Sequence, residues 1–199
     1  MTQLSPRFET ALIFAHALHA DQKRKGTDIP YFAHLLGTVS IALEHGANED
    51  EAIAALLHDS VEDAPEELGG ERVLTLIRRR YGNVVTKIVE GCSDCRTTPK
   101  PPYRQRKEAY LAHLATADFS IRLVSASDKL HNARAILRDL RAHGDMLWQR
   151  FNGGKEGTLW YYNELVHIFD KVGPVKLAEE LAVVVREIQL LAGPSIVAH

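Results

Sequence analysis

Two histidines and two aspartates stand where they could hold a metal ion. His34 follows a polar turn, His58 precedes Asp59, and Asp128 opens the run DKLHNAR. Metal sites on helical folds gather imidazoles and carboxylates from different helices. Side chains at neighbouring positions diverge by about 100° on an ideal helix, so His58 and Asp59 can share an ion only beyond the helix end. Two imidazoles and two carboxylates leave coordination positions for water. An open site of that kind suits hydrolysis, because a divalent ion acidifies bound water and polarises a phosphoryl oxygen.

Two further carboxylates follow at once. Glu62 lies four residues after His58, and Asp63 four after Asp59. On a continuing helix both would stack beside the ligands, placed for general acid–base work on a water molecule. Asp63 has a second reading, since Asp63-Ala64-Pro65-Glu66 also has the form of a capping box that starts another helix. The stretch AALLHDSVEDAPEE breaks a local rule in either case. Carboxylates at a helix C-terminus face the negative end of the macrodipole, at a cost of about 0.3–1 kcal/mol each.

The elements that must position these groups are helical. Phe8, Ala11, Leu12, Ala15 and Leu18 recur at helical spacing, which predicts a helix from Pro6 to Lys23 with Ser5 as its N-cap. A second helix is expected from His34 to Glu44. A third begins at Asn48, with Glu51 as its capping-box partner. Further helices are expected over 66–80, 84–90, 103–116, 119–142, 157–171 and 174–191. No pair of strands with a hairpin turn stands out. The expected class is all-α, a bundle of roughly eight to ten helices forming a single domain over residues 1–199.

Composition narrows the function. Hydrophobic residues make up 45% and charged residues 25% of 199, ordinary for a globular chain with a sizeable core. The formal charge of −2 lacks the basic footprint of a nucleic-acid binder. No apolar run reaches the roughly 18 residues of a membrane span, and the N-terminus lacks a signal-peptide pattern, so a cytoplasmic location is expected. Cys92 and Cys95 form a lone CxxC. A closed structural zinc site needs four ligands, so the pair reads as two reduced, incidental thiols.

Taken together, RKGTDIPYFAH (24–34), ALLHDSVED (55–63), YRQRKEAYL (103–111), SDKLHNAR (127–134) and the looser GTLWYYNELVH (157–167) resemble the HD-domain metal-dependent phosphohydrolases. More narrowly, the chain resembles the small alarmone hydrolases, stand-alone relatives of the hydrolase domain of the Rel/Spo stringent-response enzymes. The resemblance implies one Mn²⁺ held by His34, His58, Asp59 and Asp128, with Glu62 and Asp63 activating the hydrolytic water. It implies that Arg24 packs on a purine base, that Lys25 and Tyr162 lie near the nucleotide, and that Asn132 touches its ribose or base side. The implied reaction removes the 3′-pyrophosphate of ppGpp or pppGpp. The alternatives are another purine nucleotide (ppApp, the 2′-phosphate of NADPH, a nucleoside phosphate) and a non-catalytic nucleotide sensor. A homo-oligomer is compatible with the sequence. His131 reads as structural, and Arg104, Arg106 and Lys107 as a solvated basic helix face. The CSDCR segment departs from the Thr-Asp common in the family, so the loop after Glu90 is expected to have its own shape.

Overall fold

The computed structural model describes residues 2–94 and 100–193, which form eight α-helices and one 3₁₀ helix. In chain order they are α1 (Pro6–Leu18), α2 (Phe32–Glu44), α3 (Glu49–Leu57), α4 (Gly70–Cys92), α5 (Tyr103–Thr116), α6 (Phe119–His143), the 3₁₀ helix (Gly144–Arg150), α7 (Gly154–Val172) and α8 (Val175–Ala192). Among the described residues the only β pairing is an isolated bridge between Lys23 and Pro30. The class is all-α, as the periodicity implies. Cys95 lies outside the described residues; Cys92 is a buried free thiol.

The short helix α3 sits at the centre. Asn48 Oδ1 accepts from the Glu51 N–H at 3.1 Å, and Glu51 accepts from the Asn48 N–H at 2.8 Å, closing the capping box. Residues Ala52 to Leu57 are all completely buried. Burying each of Ile53, Leu56 and Leu57 contributes about 1.5–3 kcal/mol, which holds this helix wherever its neighbours place it. Those neighbours are α1, α2, α4 and α6. The 25-residue α6 in turn packs on α2, α4 and α8, so α2, the end of α3 and the middle of α6 converge.

Two moved boundaries and one break stand out against the periodic reading. α1 stops at Leu18 rather than Lys23, because His19 turns inward and the chain folds into a tight loop. That loop is closed by Arg24 N–H on Ile29 O at 2.9 Å and Tyr31 N–H on Gln22 O at 2.8 Å, with Gly26 at φ +72° near its tip. The helix expected from residue 66 begins at Gly70, behind a loop that runs through Gly69 at φ +69°. The break expected before Gly82 is present as a kink inside α4, at φ +87°. The 3₁₀ helix had no periodic signature.

No helix among the described residues is long and apolar enough to cross a membrane.

Candidate functional site

His34 stands on the first turn of α2, His58 and Asp59 just past the end of α3, and Asp128 in mid-α6. His34 and His58 are 1% exposed and Asp128 4%. The four residues meet across short gaps. His58 Nε2 lies 2.9 Å from Asp59 Oδ2 and 3.6 Å from Asp128 Oδ1. His34 Nε2 lies 3.2 Å from Asp128 Oδ1 and 3.6 Å from Asp59 Oδ2.

Neither Nε2 has a hydrogen-bond partner, although both are fully buried. Buried polar nitrogens are rarely left so, and one bound cation would satisfy both. The spacing agrees, because donors about 2.0–2.2 Å from one cation stand about 3 to 3.5 Å from each other. Ring orientation agrees as well. His58 Nδ1 donates to Ala55 O at 2.9 Å, which turns Nε2 toward the carboxylates. His34 Nδ1 faces His131 Nδ1 at 2.8 Å. Burial, with His34 and Arg24 nearby, lowers the His131 pKa to about 4, and a neutral His131 ring can accept a hydrogen bond from His34 Nδ1–H. Both imidazoles thus turn Nε2 into the cluster, the nitrogen that a neutral ring would offer to a metal. His34, His58 and Asp59 present donors close enough together to share one divalent cation, and Asp128 Oδ1 comes within 3.2 and 3.6 Å of the two imidazoles.

The carboxylates are anchored too. Tyr31 donates to Asp59 Oδ2 at 2.5 Å. Lys129 and Asn132 both donate to Asp128, Asn132 at 2.5 Å. Burial opposes ionising either aspartate, yet the neighbouring histidines, and Lys129 for Asp128, hold both pKa values well below the usual range. Burial likewise opposes charging His58, and Asp59 and Asp128 outweigh it, lifting that imidazole well above its usual value.

Glu62 and Asp63 do not stack as a helical pair. α3 ends at Leu57, and the chain continues in turns, with Ser60 N–H on Leu57 O at 3.0 Å and Asp63 N–H on Asp59 O at 2.9 Å. The two side chains diverge. Glu62 accepts from the Asp94 backbone N–H at 2.5 Å, with Lys100 at 3.8 Å. Asp63 accepts from Gln22 Nε2 at 2.8 Å. It caps nothing, because the next helix starts seven residues later at Gly70 with Gly69 as its N-cap. Both carboxyl pKa values are raised: burial lifts Glu62, helped by Asp94, and Asp63, whose side chain keeps a solvent-exposed face, is lifted by partial desolvation among its neighbours and by the Asp59 charge. Raised carboxyls near an ion site are suited to moving protons near neutral pH.

Beside the cluster lies a cavity of about 320 Å³. Arg24, Lys25, Lys107, Lys129 and Arg150 line it against one acid, Asp139, with Tyr31, Tyr103, Phe151, Tyr161 and Tyr162 as aromatic walls. Arg24, Lys25, Asn132 and Tyr162 therefore share one chamber. Asn132 also bridges, accepting from Arg24 Nη2 at 2.8 Å while donating to Asp128. Tyr31, Lys129 and Asn132 line the cavity and hold the aspartates, so cavity and cluster share a wall.

The reading of a solvated basic face is wrong for two of its three residues. Arg106 and Lys107 are largely buried and clamp Asp94 at 2.7 and 2.6 Å. Only Arg104 is outward; it pairs with Glu108 and lies over the Trp160 ring. Sequence reasoning also passed over Tyr31 and Lys129, and read His131 as structural although it faces His34. Each sits within a quoted motif, three residues before His34 or within three of Asp128, which is the signal that could have found it.

The geometry is that of a recorded family. A family model described as HD domain matches residues 11–159. The chain belongs to the HD-domain family. It is 35% identical over 128 residues to the guanosine-3′,5′-bis(diphosphate) 3′-pyrophosphohydrolase MESH1 of Xenopus tropicalis, covering 63% of this chain and 66% of that one. It is 33% identical over 131 residues to a GTP pyrophosphokinase of Streptomyces coelicolor, covering 65% of this chain but 15% of that much longer one. The matched stretch thus falls short of two thirds of either relative. Among solved structures, that of a metazoan SpoT ortholog described as hydrolysing ppGpp superposes with a TM-score of 0.74 at 23% identity, over 96% of this chain and 99% of the other. That likeness establishes the HD fold.

Proposed function

We propose that this HD-domain protein is a Mn²⁺-dependent hydrolase that removes the 3′-pyrophosphate of ppGpp or pppGpp, leaving GDP or GTP. One observation carries the reading: a cationic, aromatic-walled cavity shares Tyr31, Lys129 and Asn132 with the His/Asp cluster. A purine nucleotide with a phosphorylated 3′ side matches both halves. The MESH1 relative is named for that reaction.

His34, His58, Asp59 and Asp128 would hold the cation, with the mixed imidazole and carboxylate set suiting manganese as well as zinc. When bound, the ion supplies Lewis acidity toward a phosphoryl oxygen and an acidified water. The rest falls to side chains. Arg24 offers a guanidinium plane for the purine, braced by Asn132. Lys25, Lys107 and Lys129 line the cavity in which the negative phosphates would lie. Water adds to the phosphorus on O3′, the O3′–P bond breaks, and pyrophosphate leaves. Glu62 or Asp63 takes the water proton, and O3′ gains a proton as it departs.

The test is turnover by the purified protein with Mn²⁺. Release of GDP and pyrophosphate from ppGpp supports the reading. Absence of turnover on every 3′-pyrophosphorylated purine nucleotide would end it. A panel with ppApp, NADPH and simple monophosphates separates the substrates, and preference for a simple monophosphate would reject the alarmone assignment.

A further inference from the structure

His19 is a buried imidazole that the reaction outlined above does not use. It is the C-cap of α1 and 2% exposed. Its Nδ1 lies 2.5 Å from Gln22 Oε1 and its Nε2 3.3 Å from Ser60 Oγ. On the other side of Gln22, the amide Nε2 donates to Asp63 Oδ2 at 2.8 Å.

The chemistry of these groups sets the direction of every bond. An ionised carboxylate only accepts, so Gln22 must turn its NH₂ toward Asp63. The amide oxygen is then aimed at His19, and an amide oxygen also only accepts. His19 must therefore carry a proton on Nδ1. In the neutral ring Nε2 is left as an acceptor, and the Ser60 hydroxyl fills it. The bonds run one way, from Ser60 through His19 and Gln22 to Asp63.

We infer that His19 is a positioning residue: its Nδ1–H locks the Gln22 amide, and the locked amide aims the Asp63 carboxylate. The inference rests on the proton-handling role of Asp63 proposed above. Its physical basis is a contrast in burial. Asp63 is exposed and Gln22 half-buried, so neither side chain is held by packing. His19 is buried and held by contacts on both ring nitrogens. The ring also stacks on Tyr31, with centroids 5.2 Å apart and planes 25° from parallel, and Tyr31 in turn holds Asp59. One imidazole therefore abuts the supports of both carboxylates, but only its Nδ1–H reaches the Asp63 side by hydrogen bonds. A merely structural ring would work without that proton.

The experiment compares donors at position 19 in the full chain loaded with Mn²⁺, with ppGpp as substrate. His19→Phe keeps a ring against Tyr31 and removes the donor. His19→Asn places an amide N–H near the Nδ1 position, and His19→Gln places one near the Nε2 position. Expected are a fall in kcat of about 10- to 100-fold for His19→Phe, the range for removing a residue that orients a ligand or catalytic group, with KM and manganese content unchanged. His19→Asn recovers most of the loss and His19→Gln does not. Gln22→Ala matches His19→Phe, and the double variant is no worse than either. A second readout does not need activity: ¹⁵N chemical shifts of the neutral His19 ring should place its proton on Nδ1.

A proton on Nε2, full turnover in His19→Phe, or equal impairment of the Asn and Gln variants would overturn the inference. If Asp63→Asn abolishes turnover while His19→Phe does not, only the inference falls. If the wild-type chain hydrolyses no 3′-pyrophosphorylated nucleotide, the proposed function falls, and the tautomer still decides whether His19 drives the Gln22 amide.

Discussion

His131 Nδ1 lies 2.8 Å from Nδ1 of His34, and this contact decides which His34 nitrogen is free for a cation. The contact is possible only because position 37 is glycine. A Cβ there would lie 2.2 Å from both Cδ2 and Nε2 of the His131 ring. Residues on two helices, α2 and α6, are therefore matched so that one imidazole can orient another.

Gly37→Ala should push His131 away and leave His34 without its partner. Loss of such an outer contact costs about 10- to 100-fold in metal affinity. Metal titration by calorimetry measures it. Because the three nearest atoms all belong to His131, the Gly37→Ala/His131→Ala double variant should bind metal no worse than His131→Ala. A much weaker double variant would mean that Gly37 acts elsewhere.

The cation should stabilise the chain. At a free Mn²⁺ concentration 100 times its dissociation constant, the gain is about 2.7 kcal/mol. For a chain of this size that corresponds to about 5–10 °C in Tm. Asp59→Asn and His58→Ala should abolish the rise in a thermal melt with and without Mn²⁺. An equal rise in the variants would place the ion elsewhere. The same result bears on the acid-rich end of α3, because a bound ion is the largest local charge and reverses a field that otherwise disfavours Asp59.

Glu62 should show opposite effects on activity and stability. Glu62→Gln keeps an acceptor for the Asp94 N–H but cannot take a proton, so kcat should fall about 10²- to 10⁴-fold with metal content unchanged. Its stability effect follows from a pKa raised in the folded state by burial and by Asp94. Above the ordinary glutamate value the unfolded chain is ionised while the folded one resists, so stability falls as pH climbs from that value toward the raised one. Glu62→Gln should therefore melt higher than wild type at pH 8, with the advantage vanishing near pH 4. Thermal melts of the metal-free proteins at the two pH values check this.

Arg24 and Asn132 should behave as one unit. Asn132 joins Arg24 at 2.8 Å to Asp128 at 2.5 Å. Arg24→Ala should raise KM for a purine substrate with little change in metal content. Asn132→Ala should raise KM and also weaken metal binding, and the double variant should fall short of the product of the two effects. Steady-state kinetics and metal analysis on the three variants decide; full multiplicativity would mean that the bridge carries no coupling.

Local sequence determined the helices and the kinds of donor. The all-α class follows from apolar spacing, which records one face of each helix whatever that face later meets. The α3 capping box is legible because its bonds join Asn48 and Glu51, three residues apart. His34, His58, Asp59 and Asp128 were legible through their motifs, and the fold brings them together.

Other features depend on groups far apart in the chain. Whether Asp63 caps a helix or faces the site depends on Gln22, 41 residues earlier. Whether Lys107 is solvated depends on Asp94, and whether His131 is structural depends on His34, 97 residues away. Periodicity tells which face of α6 is buried but not which turn of α2 comes opposite it. That register is set by packing, through a missing Cβ at Gly37 and the complete burial of Ala52 to Leu57 between the neighbours of α3. The sequence by itself determined which groups could bind a cation and carry protons. Only the tertiary structure decided how each is oriented, because orientation here is fixed by hydrogen bonds between helices that share no local signal.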